Sequence, residues 1–81
     1  MFVEEIEFAR ELITIHGIEI ANELDSFGKT WLMWEVIKCN VEVVRLLLEY
    51  GVDKEVQSSK GEKAIDIARR LNFNNLVNLL Q

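Results

Sequence analysis

Apolar residues recur along most of the chain at the spacing of a helix face. From Glu4 to His16 the positions Ile6, Ala9, Leu12, Ile13 and His16 are three or four apart, as one side of an α-helix requires. Gly17 ends that run in the manner of a C-cap. Trp31 to Cys39 reads as a shorter helix. Thr30 is its N-cap, since a hydroxyl there satisfies a free first-turn N–H. Asn40 breaks this helix and is expected to cap the next. Val41 to Tyr50 carries the strongest signal, with Val43, Val44, Leu46, Leu47 and Leu48 along one broad side, and Gly51 stops it. VDKEVQSSK, residues 52–60, is polar and turn-like. Ala64 to Leu71 predicts another short helix, with Arg69 and Arg70 near its C-terminus, where cations suit the helix dipole. Asn72 to Asn75 predicts a turn and cap, and Leu76 to Leu80 a last helix. The expected class is all-α.

The pattern repeats. Gly28 and Gly61 are thirty-three residues apart, and the same offset sets Leu32 on Ile65, Trp34 on Ile67, Val43 on Leu76, Val44 on Val77 and Leu47 on Leu80. Two short helices and a long turn per thirty-three residues mark a stacked-repeat protein. The run before Gly17 matches the run before Gly51 at an offset of thirty-four, which sets His16 on Tyr50. The loop after Gly17 is one residue longer than its counterpart.

Size and charge narrow the reading further. Eighty-one residues suffice for one small domain, which has little stability to spare. One cysteine, Cys39, rules out an internal disulfide, and no Cys/His spacing suits structural zinc. Fourteen acids against nine bases give a net charge of −5. That argues against nucleic acid, whose binders neutralise phosphates, and against an anionic membrane surface. No apolar run is long enough to span a bilayer. MFVEEIEFAR has no basic flank before an apolar run, so it does not read as a secretory signal. A reducing intracellular setting, most plainly the cytoplasm, is expected.

With the repeat in view, Asp25 to Lys54, DSFGKTWLMWEVIKCNVEVVRLLLEYGVDK, resembles one ankyrin repeat. NVEVVRLLLEYGVD is nearly a standard ankyrin outer helix with its exit turn. Gly61 to Leu80, GEKAIDIARRLNFNNLVNLL, resembles a terminal repeat, and Glu4 to Glu23 an outer helix and turn lacking its inner helix. The resemblance implies a helix-turn-helix solenoid divided as 1–24 (partial repeat or cap), 25–57 (central repeat) and 58–81 (C-terminal capping repeat). A first repeat without its inner helix suggests a piece of a longer protein.

The family pattern GxTPLHxAxxxG is heavily altered between Gly28 and Cys39. Thr30 and Leu32 are kept. Trp31 replaces the proline, Met33 the histidine, Glu35 the alanine and Cys39 the glycine. In the next repeat Ala64, Asp66 and Ala68 take the proline, histidine and alanine places. A buried unpaired carboxylate is costly, so Glu35 requires an explanation. Either it reaches solvent where the inner helix is missing, or it meets a cation or donor from another chain, or the structure rearranges locally. The same gap is expected to leave Trp31, Met33 and Trp34 partly uncovered, as a self-association face. Alternatively the N-terminal segment folds over them, since Phe2, Val3, Ile6 and Phe8 need a surface too.

The resemblance implies a non-catalytic protein-interaction module that grips a protein partner through turn tips and the concave inner-helix face. The residues carried over are Ser26, Phe27 and Lys29 on one tip, Ser59, Lys60 and Glu62 on the next, Ile37 and Lys38 on the inner helix, and Tyr50 at the end of the outer helix. Phe27 is either an aromatic anchor or packed against the loop Ile18 to Leu24. The alternative reading is a homodimer, domain-swapped or paired through Trp31, Met33, Trp34 and Glu35. No cofactor and no metal is implied. His16, at a helix end, lacks the orienting group of a catalytic base. Cys39 has no histidine near it in sequence to activate it. The carboxylates around Glu19, Glu23 and Asp25 lack calcium-loop spacing, and Gly28-Lys29 is no phosphate loop. Besides cytoplasmic proteins, the family includes viral proteins and secreted bacterial effectors.

Overall fold

Local chemistry sets the ends of most helices. The computed structural model describes residues 3–81, with side chains from Glu4 onward. Phe2 and the side chain of Val3, expected to need a covering surface, lie outside the described residues. Helix α1 spans Val3–His16 and is followed at Gly17 by a 3₁₀ turn, Ile18–Asn22. Then come α2 (Trp31–Ile37), α3 (Val41–Glu49), α4 (Ala64–Arg70) and α5 (Asn74–Leu80). Among the described residues every regular element is helical.

Thr30 caps α2 as expected: its Oγ1 accepts from the Met33 N–H at 3.2 Å. Met33 answers, its Sδ accepting from the Thr30 N–H at 3.5 Å. The thioether therefore closes a weak reciprocal capping box. This bond is local to the first turn of α2, a cap and not a tie to a neighbouring turn. One repeat later Asp66 does the same more strongly, its Oδ2 accepting from the Lys63 N–H at 3.0 Å.

Helix α2 stops two residues earlier than the spacing predicts, because Cys39 adopts a left-handed backbone with φ 56°. Asn72, thirty-three residues on, has φ 62° and makes the same turn between α4 and α5. Asparagine tolerates this region; cysteine does so only with strain. Helix α5 starts two residues before the predicted Leu76, so the turn after α4 is shorter than expected.

Helix α2 packs on α3 and α4, α4 packs on α5, and α1 lies against α3. The seam between them holds Leu32, Met33, Val36, Val44, Leu47, Ile67 and Leu76, all fully buried. The 3₁₀ turn packs against both α1 and α2, with Ala21 fully buried. This turn was not foreseen from the sequence, and it stands beside α2 where a preceding inner helix would stack. Met33 is consequently 1% exposed, which corrects the expectation that it is left uncovered; Trp31 and Trp34 are half-buried. Ile6 packs on the core, while Phe8 is 63% exposed.

Candidate functional site

The first turn tip is built on Asp25. Its Oδ1 accepts from the backbone N–H of Phe27 at 2.9 Å and of Lys29 at 3.0 Å, closing an Asx turn. Its Oδ2 accepts from the Trp34 indole Nε1–H at 2.6 Å. The Lys29 N–H and then the Trp34 indole hold the Asp25 carboxyl below its usual range, since donors to an ionised carboxylate favour that form. Phe27 meets the Trp34 ring edge to face at 5.8 Å and 87°. The Lys29 ammonium sits 5.1 Å from the same ring centroid, within cation–π range. Phe27 is 72% exposed; its edge contact is with Trp34, and Ser26 beside it is exposed.

The second tip repeats the device with a smaller residue. Ser58, thirty-three positions after Asp25, accepts at Oγ from the Lys60 and Glu62 N–H groups at 3.1 and 3.3 Å. The two tips are joined, the Ser59 N–H donating to the Gly28 carbonyl at 2.9 Å. Gly28 has φ +76°, and a Cβ there would overlap the Ser59 side chain. Glycine is needed on both counts. Lys60 is exposed, and Glu62 is paired with Arg70 at 3.2 Å.

The structure therefore brings Ser26, Phe27, Lys29, Ser59, Lys60 and Glu62 onto one edge. Ile37 is half-buried against the core, and Lys38 pairs with Glu35 at 3.3 Å. Tyr50 lies apart from the tips, in a hollow with Arg10, Leu46 and Glu49.

Glu35 is 6% exposed and has its donors within the chain. Trp31 Nε1–H donates to Oε2 at 3.0 Å, Asn40 Nδ2–H to Oε1 at 3.2 Å, and the Lys38 ammonium lies near Oε2. It neither reaches solvent nor needs a second chain. Asn40 takes the N-cap position of α3 as expected, but its side chain makes no capping bond. Its amide instead bridges Glu35 and the Glu5 carboxylate of α1, the latter at 3.0 Å. The Asn40 Oδ1 is buried without a partner among the described residues.

A further feature escaped the sequence reading. Leu12, Ile20, Glu23, Asp25, Lys29, Trp31 and Trp34 line an open pocket of about 350 Å³ between α1, the 3₁₀ turn and α2. Its aromatic floor was legible; its acidic wall depended on the path of residues 18–25. Among the described residues no group of three or more His, Cys, Asp or Glu side chains gathers as metal ligands would. None of the described helices is long and apolar enough to cross a membrane.

Comparison with known proteins agrees with this geometry. A family model described as ankyrin repeats (3 copies) matches residues 2–81. A putative ankyrin repeat protein of Rickettsia bellii (strain RML369-C) is 33% identical over 60 residues, covering 74% of this chain and 36% of its own. The human palmitoyltransferase ZDHHC17 is 40% identical over 58 residues, 70% of this chain and 9% of its own. The human NAD-capped RNA hydrolase NUDT12 is 32% identical over 68 residues, 84% of this chain and 15% of its own. The chain thus spans about a third of the first relative's length and far less of the other two.

Proposed function

Because the chain belongs to the ankyrin repeat family, whose repeats generally serve as non-catalytic protein-binding scaffolds, we propose that it binds a protein partner through its two joined turn tips and the adjoining inner-helix face. The observation that carries this reading is the first tip. Asp25 fixes the backbone on either side of Phe27 and anchors Trp34 beneath it. A large aromatic side chain is thereby exposed on a preorganised loop. Rigid aromatic anchors lose little entropy on binding and dominate interface energetics. Ser26, Lys29, Ser59, Lys60 and Glu62 form the polar rim, and Lys38 continues it along α2. Ile37 contributes through packing, and Tyr50 belongs to a separate hollow. The division into units 1–24, 25–57 and 58–81 follows the tips and is part of this reading.

Affinity capture from native lysate with the wild type and with Phe27→Ala tests it. Phe27 is exposed, so its removal leaves the helical signal unchanged. A partner retained by the wild type and lost or strongly depleted with Phe27→Ala supports the tip. Equal recovery on both proteins removes it as the contact. Pairing of two chains is the second reading. The half-buried Trp31 and Trp34 beside the open pocket favour it, whereas Met33 and Glu35 lie inside the chain.

A further inference from the structure

We infer that the pocket between α1, the 3₁₀ turn and α2 receives an arginine side chain of the protein partner. This deepens the binding-module reading and rests on it. Both indoles of the pocket have their N–H groups committed to carboxylates, Trp31 to Glu35 at 3.0 Å and Trp34 to Asp25 at 2.6 Å. The chemistry left to them is that of their ring faces. A carboxylate pulling on the indole N–H pushes electron density into the ring, which strengthens its attraction for a cation.

The wall adds Glu23 and Asp25, so the pocket is acidic as well as aromatic. Leu12 and Ile20 supply apolar surface for the aliphatic stem of a long basic side chain. Guanidinium suits such a site better than ammonium, being planar, weakly hydrated and able to stack on a ring while bonding a carboxylate. Lys29 already places its own ammonium over the Trp34 ring, the same kind of contact. Lys29 lines the pocket too, so it competes with the incoming cation. Beyond Glu23 and Asp25, five more carboxylates among the first 25 residues, Glu4, Glu5, Glu7, Glu11 and Glu19, make this end of the sequence strongly acidic.

The test uses nitrogen-15-labelled protein and two blocked tripeptides, acetyl-Gly-Arg-Gly-amide and its citrulline counterpart, which is isosteric but neutral. The chain has two tryptophans, hence two indole N–H resonances to follow. The expected result is saturable movement of both with the arginine peptide, weaker at high salt, and none with citrulline. Trp31→Leu should weaken binding roughly tenfold, the loss of one desolvated cation–π contact. Lys29→Gln should strengthen it severalfold by removing the competing cation. No movement with the arginine peptide, equal movement with both peptides, or unchanged affinity in Trp31→Leu overturns the inference. If Trp31→Leu fails to fold, Glu23→Gln on the exposed wall decides: weaker binding supports the site and unchanged binding overturns it. A partner that needs Phe27 but binds Trp31→Leu undiminished would remove the pocket and leave the tip reading standing.

Discussion

Glu35 replaces a residue that normally lets two helices approach, and its three neighbours explain how a carboxylate is tolerated there. An indole, an amide and an ammonium each direct a donor at it, and Asn40 extends the set to Glu5 on α1. Asn40→Asp would set a third carboxylate against these two and take away both amide bonds. The expected cost is about 3 kcal/mol, the scale of an uncompensated buried charge. Urea unfolding measures it. At Cys39 a side chain sits in backbone space that glycine occupies freely. Cys39→Gly is expected to gain about 1 kcal/mol, the left-handed penalty less glycine's greater unfolded freedom. That corresponds to a thermal midpoint about 4–8 °C higher. Asn72→Gly should gain less, since asparagine reaches the same conformation more readily. The identities at both positions were plain in the sequence. That Glu35 finds its donors within four or five residues was not, because helix phase alone cannot say which way a glutamate bends.

At the scale of elements, the first tip depends on one carboxylate. Its folded pKa is depressed by the Lys29 N–H and the Trp34 indole. The stability it supplies is therefore fully present above its ordinary value of 3.8 and is lost as pH falls through the lower folded value. Asp25→Asn should flatten the acid limb of a pH–stability curve below about pH 4; an unchanged limb would mean that the Asp25 bonds do not outlast solvent. The helices themselves were legible, because Thr30, Gly51 and the apolar rows of α2 and α3 each point to the same boundaries. The 3₁₀ turn was not. Ile18–Asn22 has no side-chain cap and no helix-length period, and it is held by the packing of Ala21 and Ile18 against the core. The open pocket depends on that turn, so it was hidden with it.

For the whole molecule, the thirty-three-residue offset gave the architecture before any contact was known. It aligned buried residue with buried residue at Val43–Leu76 and Leu47–Leu80, and buried with half-buried at Leu32–Ile65, Trp34–Ile67 and Val44–Val77. What lay beyond it was the covering of the first repeat, since α1 and the 3₁₀ turn have no partner at that offset. With Met33 and Glu35 enclosed, only the half-buried Trp31 and Trp34 remain of the face expected to pair two chains. Sedimentation at high concentration is expected to give the mass of one chain, 9.4 kDa. A twofold mass abolished by Trp31→Ala would restore pairing through that face.

The link between the tips carries a dynamic consequence. Along that edge a main-chain bond runs from Ser59 to Gly28. On the loops that follow the outer helices the ties are side chains, Asn22 to Asp53 and Lys54 to the Gln81 carbonyl. Side chains stretch and rotate more easily than main chain. The tip edge is therefore tied main chain to main chain, and the loop edge through groups that rotate about side-chain bonds, so hydrogen exchange at the Ser59 N–H is expected to be slower than at the Asp53 N–H.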